Sequence, residues 1–258
     1  MNQDIGPIMD GWDYAPGELR VRTIDGQDNK QKIQIRMDLG LMQLEWMGRP
    51  DGAKPHECLS LLEYYRLKQE EHMPENGNEP FSLSREDCWA LGQEAMQYYW
   101  RRISFFELKA YKNAEEDALH NIGILDMCLE FAEHDEDRQV AEQYRPFVTA
   151  HRVQARALAL LDDQNFDGAL DEIQQGIKEI EEFLAGLENF EDLEDCQELQ
   201  FLREWEREIE TTRPLSLEEQ LNADLEAAVE EEKFELAASL RDRLRALDSN
   251  PAPNQGEM

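Results

Sequence analysis

The sequence lacks the short motifs that mark common catalytic and nucleotide-binding sites. Its 14 glycines are scattered, and none precedes a Lys-Ser or Lys-Thr pair in the pattern of a phosphate-binding loop. It has neither a Gly-x-Ser-x-Gly nucleophile turn nor a His-Glu-x-x-His zinc motif. The 58 carboxylates make chance pairs inevitable, so closeness in sequence identifies no acid–base couple. We therefore predict that the chain is not an enzyme and that it needs no cofactor.

Cysteines and long apolar runs are also scarce. Four cysteines lie far apart and form no Cys-x-x-Cys pair: Cys58, Cys88, Cys128 and Cys196. This pattern is typical of reduced thiols in a cytoplasmic protein and indicates no zinc site. No stretch approaches the roughly 18 apolar residues of a membrane-spanning helix, and no basic region precedes an apolar block at the N-terminus. We expect a cytoplasmic protein that neither binds a membrane nor carries a signal peptide.

Positive charge is scarce as well. The chain has 26 Lys and Arg residues against 58 Asp and Glu residues, a formal net charge of -32. Charge of this sign repels phosphate backbones, so we expect no direct binding to duplex DNA. The charge is uneven, because residues 1–56 carry 7 basic and 9 acidic residues, a net charge of -2. The remainder, which carries -30, is predicted to form a separate acidic body.

Alternating apolar and polar residues predict a small sheet within a head formed by residues 1–56. The first dozen residues are rich in Gly, Pro and Asp and are predicted to be a poorly ordered leader. Three alternating runs, near residues 19–23, 33–39 and 42–46, then predict an antiparallel meander. One apolar face should pack on the helices that follow, because so small a sheet is unstable alone. The other face is basic and is predicted to meet the protein's own acidic helices or solvent, or to recognise anions or an acidic partner. Its basic residues are Arg20, Arg22, Lys32 and Arg36.

Residues 57–210 have helical spacing and are predicted to form an acidic, irregular α-helical bundle. Ser84 with Asp87 is predicted to begin one helix. Pro146 is predicted to break or kink another, from about residue 136 to residue 161. Asp117 and His120 lie on one helical face, which is half of a di-iron bundle site. A second such pair and two further carboxylates are missing, so we predict no metal here.

An aromatic residue followed three positions later by alanine occurs three times along the chain. The pairs are Tyr111 with Ala114, Phe166 with Ala169, and Phe234 with Ala237. The pattern is similar to the second helix of a tetratricopeptide repeat. The separations of 55 and 68 residues differ from the regular period of about 34. We therefore favour an irregular helical bundle over a true repeat array.

Residues 216–248 are predicted to form an antiparallel helical hairpin. Ser216 and Glu219 form a capping box at its start. Two apolar stripes follow, separated by about four polar residues. The first stripe is Leu217, Leu221, Leu225, Ala228 and Val229; the second is Phe234, Ala237, Leu240, Leu244 and Leu247. Residues 249–258, which contain two prolines, are predicted to be disordered.

These residues resemble the UVR motif, a hairpin at the C-terminal end of the excision-repair helicase subunit UvrB and within the nuclease subunit UvrC. The resemblance rests on Phe234-x-x-Ala237-Ala238-x-x-Arg241-Asp242-x-Leu244-x-x-Leu247, preceded by Leu221, Leu225 and Ala228. Val229 departs from it, because the family usually has a small residue there. Similar motifs occur in Clp-type ATPases and in the zinc-bearing activator of a bacterial arginine kinase. The resemblance therefore implies protein–protein docking rather than repair as such.

The resemblance implies a site that binds another protein or a second copy of the chain. Phe234 is expected to be the buried keystone of the hairpin, beside the turn. The candidate partner-binding residues are Phe234, Ala237, Ala238, Leu240, Arg241, Asp242, Leu244 and Arg245.

Three functions are considered, and a non-catalytic adaptor is favoured among them. The second is a regulatory subunit of a Clp-type ATPase or protein kinase, or an accessory factor of nucleotide excision repair. The third is an enzyme with a site in the sheet–helix groove near Arg20, Arg36 and His56. The helicase motifs of UvrB, the nuclease residues of UvrC and the paired cysteines of the kinase activator are all missing.

Overall fold

The computed structural model describes residues 4–72, 80–187, 193–215 and 217–248. The chain divides into two compact units, residues 1–207 and residues 208–258. The predicted capping residue Ser216 and the predicted disorder of residues 249–258 lie outside the described residues.

The N-terminal sheet is the predicted antiparallel meander, with strand order β1-β2-β3. Its strands are β1 (Val21–Asp25), β2 (Gln31–Met37) and β3 (Gly40–Glu45). Ile33 and Ile35 alternate along the central strand and are both buried, which marks the apolar face. This face packs against Phe105 and Ala155 of the helical bundle. The fold is therefore mostly α-helical with a small sheet packed on helices, as predicted.

Helices account for most of the remaining described chain. Two short 3₁₀ turns, at residues 55–57 and 193–195, accompany them. The α-helices are α1 (Gly6–Met9), α2 (Leu61–Glu71), α3 (Arg85–Glu107), α4 (Tyr111–Phe131), α5 (Asp135–Asp162), α6 (Phe166–Ala185), α7 (Gln197–Thr212), α8 (Leu217–Glu230) and α9 (Phe234–Asp248). The predicted start of α3 is confirmed, because Ser84 and Asp87 form a reciprocal capping box.

One turn recurs in three helical hairpins. Helices α3, α5 and α8 are each followed by a residue in the left-handed region, with φ near 56°: Lys109, Gln164 and Glu232. In each turn the residue after the left-handed one donates its amide N–H to the carbonyl five positions earlier, as Lys233 does to Ala228 at 2.8 Å. A second hydrogen bond, from the amide of the left-handed residue to the carbonyl three positions earlier, lies inside it, and the two bonds form a Schellman motif. The next helix then begins at the predicted aromatic residue, and the alanine three positions later is buried.

Helix α5 continues through Pro146, so the predicted break is wrong, whereas the alternative of a kink stays a prediction. Proline removes one backbone hydrogen bond and strains the preceding turn. Packing on both sides offsets that cost. Pro146 is buried, Arg145 pairs with Asp126 of α4, and Arg152 pairs with Glu172 and Glu179 of α6.

Residues 4–20 lie on the basic face of the sheet, so the prediction of a poorly ordered leader is wrong for residues 4–12. Three arginines of that face donate to its backbone carbonyls: Arg20 to Asp13 at 2.7 Å, Arg36 to Trp12 at 2.8 Å, and Arg22 to Ile8 at 2.9 Å. The Arg22 guanidinium also lies 3.9 Å from the centre of the Trp12 ring. Backbone carbonyls therefore provide partners for the three arginines, while Glu18 also pairs with Arg20, and Asp28 and Glu45 pair with Lys32.

Glu94 of α3 joins the first elements of the bundle. Its carboxylate accepts hydrogen bonds from the Leu61 and Leu62 amides at the start of α2, at 2.8 and 3.2 Å. It also lies 3.0 Å from Arg49 Nε and 3.1 Å from His120 Nε2. Burial opposes ionisation, but the hydrogen bonds from His120 and the two amides outweigh it and hold the pKa of Glu94 below its usual value.

The possible half-site formed by Asp117 and His120 has separate structural roles. Arg101 donates to both oxygens of the Asp117 carboxylate, at 2.6 and 2.9 Å, in a buried pair. His120 instead faces Glu94 and stacks on Tyr98, with ring centroids 3.7 Å apart. The two side chains therefore serve the packing of α3 against α4.

Arg102 is buried where α3 meets α5, and the half-buried His151 of α5 is near it. Arg102 is fully buried, and the central carbon of its guanidinium lies 5.6 Å from the centre of the Tyr99 ring and 5.9 Å from that of the Phe147 ring. None of its three side-chain nitrogens has a hydrogen-bond partner among the described residues. Burial lowers the pKa of Arg102 to about 10. Burial and the neighbouring Arg102 also lower the pKa of His151 to about 4.

We predict that His151 makes the protein less stable as pH falls from about 6.5 to about 4. In this window the unfolded chain binds a proton at His151 and the native chain does not, so the free energy of unfolding decreases. His151→Gln should lose less stability across the window, by about 3 kcal/mol in total. Urea unfolding at several pH values measures the difference. His134→Gln, at an exposed histidine, should keep the wild-type slope; equal slopes for all three proteins would contradict the prediction.

Candidate docking hairpin

The C-terminal hairpin is built from α8 and α9, joined by residues 231–233. The chain reverses at Glu232, whose amide donates to the Val229 carbonyl at 3.1 Å. The Ala237 amide donates to the Lys233 carbonyl at 3.0 Å and continues the first turn of α9. The sharp turn brings the facing sides of the two helices together over their whole length.

The interior of the hairpin is narrow and made of small and branched apolar side chains. Its buried residues come from both helices, and Leu225 and Leu244 complete it as partly buried neighbours. The buried set is Leu221, Ala228, Ala237 and Leu240. The alanines lie near the turn, where the helices approach most closely, and the leucines fill the space further along. Leu217 and Leu247, which were also predicted to be in these stripes, have side chains outside the described residues.

Phe234 is not the buried keystone of the hairpin, and that prediction is wrong. Its side chain is 68% exposed, whereas Leu240 is 4% exposed. Successive helical residues are separated by about 100°, so Phe234 points roughly 60° away from Ala237 and further from Leu240. The buried side chains nearest the turn are those of Ala228 and Ala237.

Phe234 instead begins an exposed stripe on one flank of α9. Spacings of four, three and four residues place Ala238, Arg241 and Arg245 on the same flank, and all are exposed. Val229, at the end of α8 beside the turn, is 52% exposed. We call the four α9 residues the Phe234 stripe. It combines an aromatic ring, a small residue that leaves the ring accessible, and two guanidinium groups.

An exposed pair of opposite charges lies at the far end of the stripe. Asp242 lies 3.9 Å from Arg245, and both side chains are about 70% exposed. At the other end of the hairpin, Arg213 forms a bidentate ion pair with Glu219 in the first turn of α8. That pair joins the segment before α8 to the first turn of the helix. It does not involve the residues of the Phe234 stripe.

The predicted partner-binding residues thus fall into two groups. Ala237, Leu240 and Leu244 contribute to the interior of the hairpin. The others are exposed: Phe234, Ala238, Arg241, Asp242 and Arg245. Sequence reasoning missed the exposure of Val229 and of Leu236, which is 49% exposed on the opposite flank. The signal for Val229 was its departure from the small residue usual in the resembling family.

The other sites considered from the sequence are not assembled. Arg20 and Arg36 bind backbone carbonyls of the N-terminal segment, whereas the His56 ring stacks on Tyr64 at 3.9 Å. Within residues 4–72, 80–187, 193–215 and 217–248, no group of three or more His, Cys, Asp or Glu residues is arranged to hold a metal ion. In the same ranges, no helix has the length and apolar character needed to cross a membrane.

We predict that Phe234→Ala loosens the hairpin far less than Leu240→Ala. The largely exposed ring buries little surface, so its loss should cost under about 1 kcal/mol. Removing the buried leucine should cost about 2–5 kcal/mol through lost packing and a cavity. Amide hydrogen exchange of residues 217–248 in the intact protein measures both local effects. Equal loosening by the two variants would show that the Phe234 ring is packed inside.

Comparison with known families agrees with this geometry. Residues 217–250 match the family model described as the UvrB/uvrC motif, UVR. No curated protein and no solved structure shows significant similarity to the chain. The matched residues include both helices of the hairpin, the turn between them and the Phe234 stripe. The C-terminal hairpin of this protein is therefore a UVR motif.

Proposed function

We propose that the chain is a non-catalytic adaptor that docks a protein partner through the Phe234 stripe. The observation that carries the proposal is a phenylalanine 68% exposed on the flank of a hairpin whose own interior is already filled. Aromatic residues, phenylalanine among them, and arginine are enriched at protein–protein interfaces. The UVR motif supports the proposal, because it is an interaction motif without catalytic residues.

The stripe specifies the chemistry of a complementary surface. Phe234 needs an apolar pocket, and Val229 extends that apolar contact past the turn. Arg241 and Arg245 favour carboxylates on the partner, because a planar guanidinium group can donate two parallel hydrogen bonds to one carboxylate. A second copy of the chain is an acceptable partner, because acidic residues outnumber basic ones by 58 to 26.

Matched substitutions on the two flanks of α9 test the proposal. Phe234→Ser with Arg241→Ser should abolish the partner interaction, because both changes lie in the stripe. Leu236→Ser with Arg243→Ser removes the same kinds of side chain from exposed positions on the other flank and should retain it. Affinity purification with quantitative mass spectrometry detects foreign partners, and sedimentation detects a second copy.

Deletion of residues 214–258 should remove the same interaction while circular dichroism shows a folded remainder. Full partner recovery by the truncated protein, or equal losses in the two flank variants, would contradict docking through the stripe. A regulatory subunit of an ATPase or kinase, and an accessory factor of excision repair, would dock through the same hairpin. The identity of the recovered partner decides among these roles.

We also predict no sub-micromolar binding to duplex DNA at physiological salt. The net charge of -32 repels phosphates, and the arginines of the basic sheet face are engaged with backbone carbonyls. Fluorescence anisotropy with a duplex of about 20 base pairs, at about 150 mM salt, measures this. Tight binding that survives this salt would show that a local basic surface overrides the total charge.

A further inference from the structure

Two of the four cysteines meet where α3 packs against α4. Cys88 lies in the first turn of α3, and Cys128 lies in the last turn of α4. Both belong to the same apolar cluster of the bundle. Cys88 is 8% exposed and Cys128 is 7% exposed, and both are free thiols. The fold therefore brings together two thiols that are far apart in the sequence.

Contacts on both sides of this pair fix the register of the two helices. The Ala95 carbonyl, seven residues after Cys88, accepts a hydrogen bond from Asn121 Nδ2 at 3.0 Å. Asn121 in turn lies seven residues before Cys128. Residues seven apart share one face of a helix, so the two cysteines face each other two turns from that bond. On their other side, the Leu83 amide donates to a carbonyl at the end of α4 at 2.7 Å.

The distance between facing positions of two packed helices suits a disulfide. Packed helix axes lie about 8–10 Å apart, and each Cα lies about 2.3 Å from its axis, so facing Cα atoms are about 4–6 Å apart. A disulfide joins Cα atoms about 4.4–6.8 Å apart. The two thiols are already in hydrogen-bonding contact, with Cys128 donating to the Cys88 sulfur. A bond between the sulfurs therefore requires rotation of side chains and no change of fold.

The hydrogen bond makes the two thiols unequal in reactivity. It lowers the pKa of Cys88. Burial opposes this shift, as do three neighbouring carboxylates: Asp137, Asp87 and Glu133. The same hydrogen bond, followed by burial, raises the pKa of Cys128. The thiolate is the reactive form of cysteine, so Cys88 is the thiol that reacts first.

We propose that a peroxide oxidises Cys88 and Cys128 to a reversible disulfide that links α3 to α4 and stabilises the body. The Cys88 sulfur attacks one oxygen of hydrogen peroxide and breaks the O–O bond. The second oxygen leaves as water with the thiol proton, and Cys88 becomes a sulfenic acid. The Cys128 sulfur then attacks the sulfenic sulfur, whose oxygen leaves as a second water with the Cys128 proton.

The two steps together convert two thiols and one peroxide into one disulfide and two waters. Hydrogen peroxide is the oxidant considered because it is small enough to reach a thiol that is 8% exposed. This modification site lies in the helical body, and it does not rest on docking through the Phe234 stripe.

Peptide mapping of the oxidised full chain tests the bond. After treatment with hydrogen peroxide, the remaining thiols are blocked with N-ethylmaleimide in denaturant. Trypsin then releases the two cysteines in separate peptides, residues 86–101 and 113–138. We expect mass spectrometry to find these two peptides joined, and dithiothreitol to separate them. Cys58 and Cys196 should form no bond with either peptide.

Single substitutions test the order of the two steps. In Cys128→Ala, the sulfenic acid at Cys88 has no thiol partner and should be trapped by dimedone. In Cys88→Ala, Cys128 should take no dimedone and should remain available to N-ethylmaleimide. Cys58→Ala with Cys196→Ala is the matched control and should form the link to the same extent as the wild type. Circular dichroism checks that each variant is folded.

The link should also raise the melting temperature of the protein. It closes a loop of about 40 residues and so restricts the unfolded chain. The oxidised wild type should melt roughly 5–15 °C above the reduced protein. Cys128→Ala, treated in the same way, should show no such gain.

Three results would overturn the proposal. The first is peroxide treatment that oxidises Cys58 but leaves residues 86–101 and 113–138 unlinked in the wild type. The second is dimedone on Cys128 in Cys88→Ala with none on Cys88 in Cys128→Ala. The third is a melting temperature that the link leaves unchanged or lowers, since the bond would then strain the helices that it joins.

Discussion

The tight reversal between antiparallel helices is the constraint on which the described structure most depends. It places three hairpins, α3–α4, α5–α6 and α8–α9, on the same local plan, with a left-handed residue before an aromatic one. Buried alanines follow in each case and allow the helix axes to approach closely. What differs is the surroundings of the aromatic residue. Tyr111 and Phe166 are partly covered in the bundle, whereas Phe234 is left largely exposed by a hairpin whose interior consists of its own two helices.

Local sequence patterns were sufficient to predict the structure where a pattern is compatible with only one backbone arrangement. The alternation around Ile33 and Ile35 predicted the sheet, and the aromatic–alanine pairs predicted the starts of three helices. The capping residues of α3 were predictable for the same reason, since their hydrogen bonds join neighbours in the chain. The two apolar stripes with four polar residues between them likewise predicted the hairpin that the UVR model matches.

Predictions failed where contacts between distant residues decided the outcome. The rule that proline ends a helix ignores α4 and α6, which pack along both sides of α5 at Pro146. The leader was predicted to be disordered from composition, but its carbonyls accept hydrogen bonds from arginines up to 24 residues away. The orientation of Phe234 is a subtler case. Apolar spacing alone includes it in the stripe, and only the angle to Ala237 and Leu240 shows that it lies outside the interior.

The N-terminal segment on the sheet has a consequence for the kinetics of association. Its carbonyl groups accept hydrogen bonds from Arg20, Arg22 and Arg36, and Glu18 also pairs with Arg20, so these guanidinium groups have partners within the head. Residues 1–56 carry a net charge of -2, so the head as a whole adds no positive charge that would offset the acidic helices. The negative potential of the helices concentrates basic molecules near the surface and speeds their encounter, within a Debye length of about 8 Å at physiological salt. A head with so little net charge thus leaves the acidic helices to set how fast a cationic partner arrives.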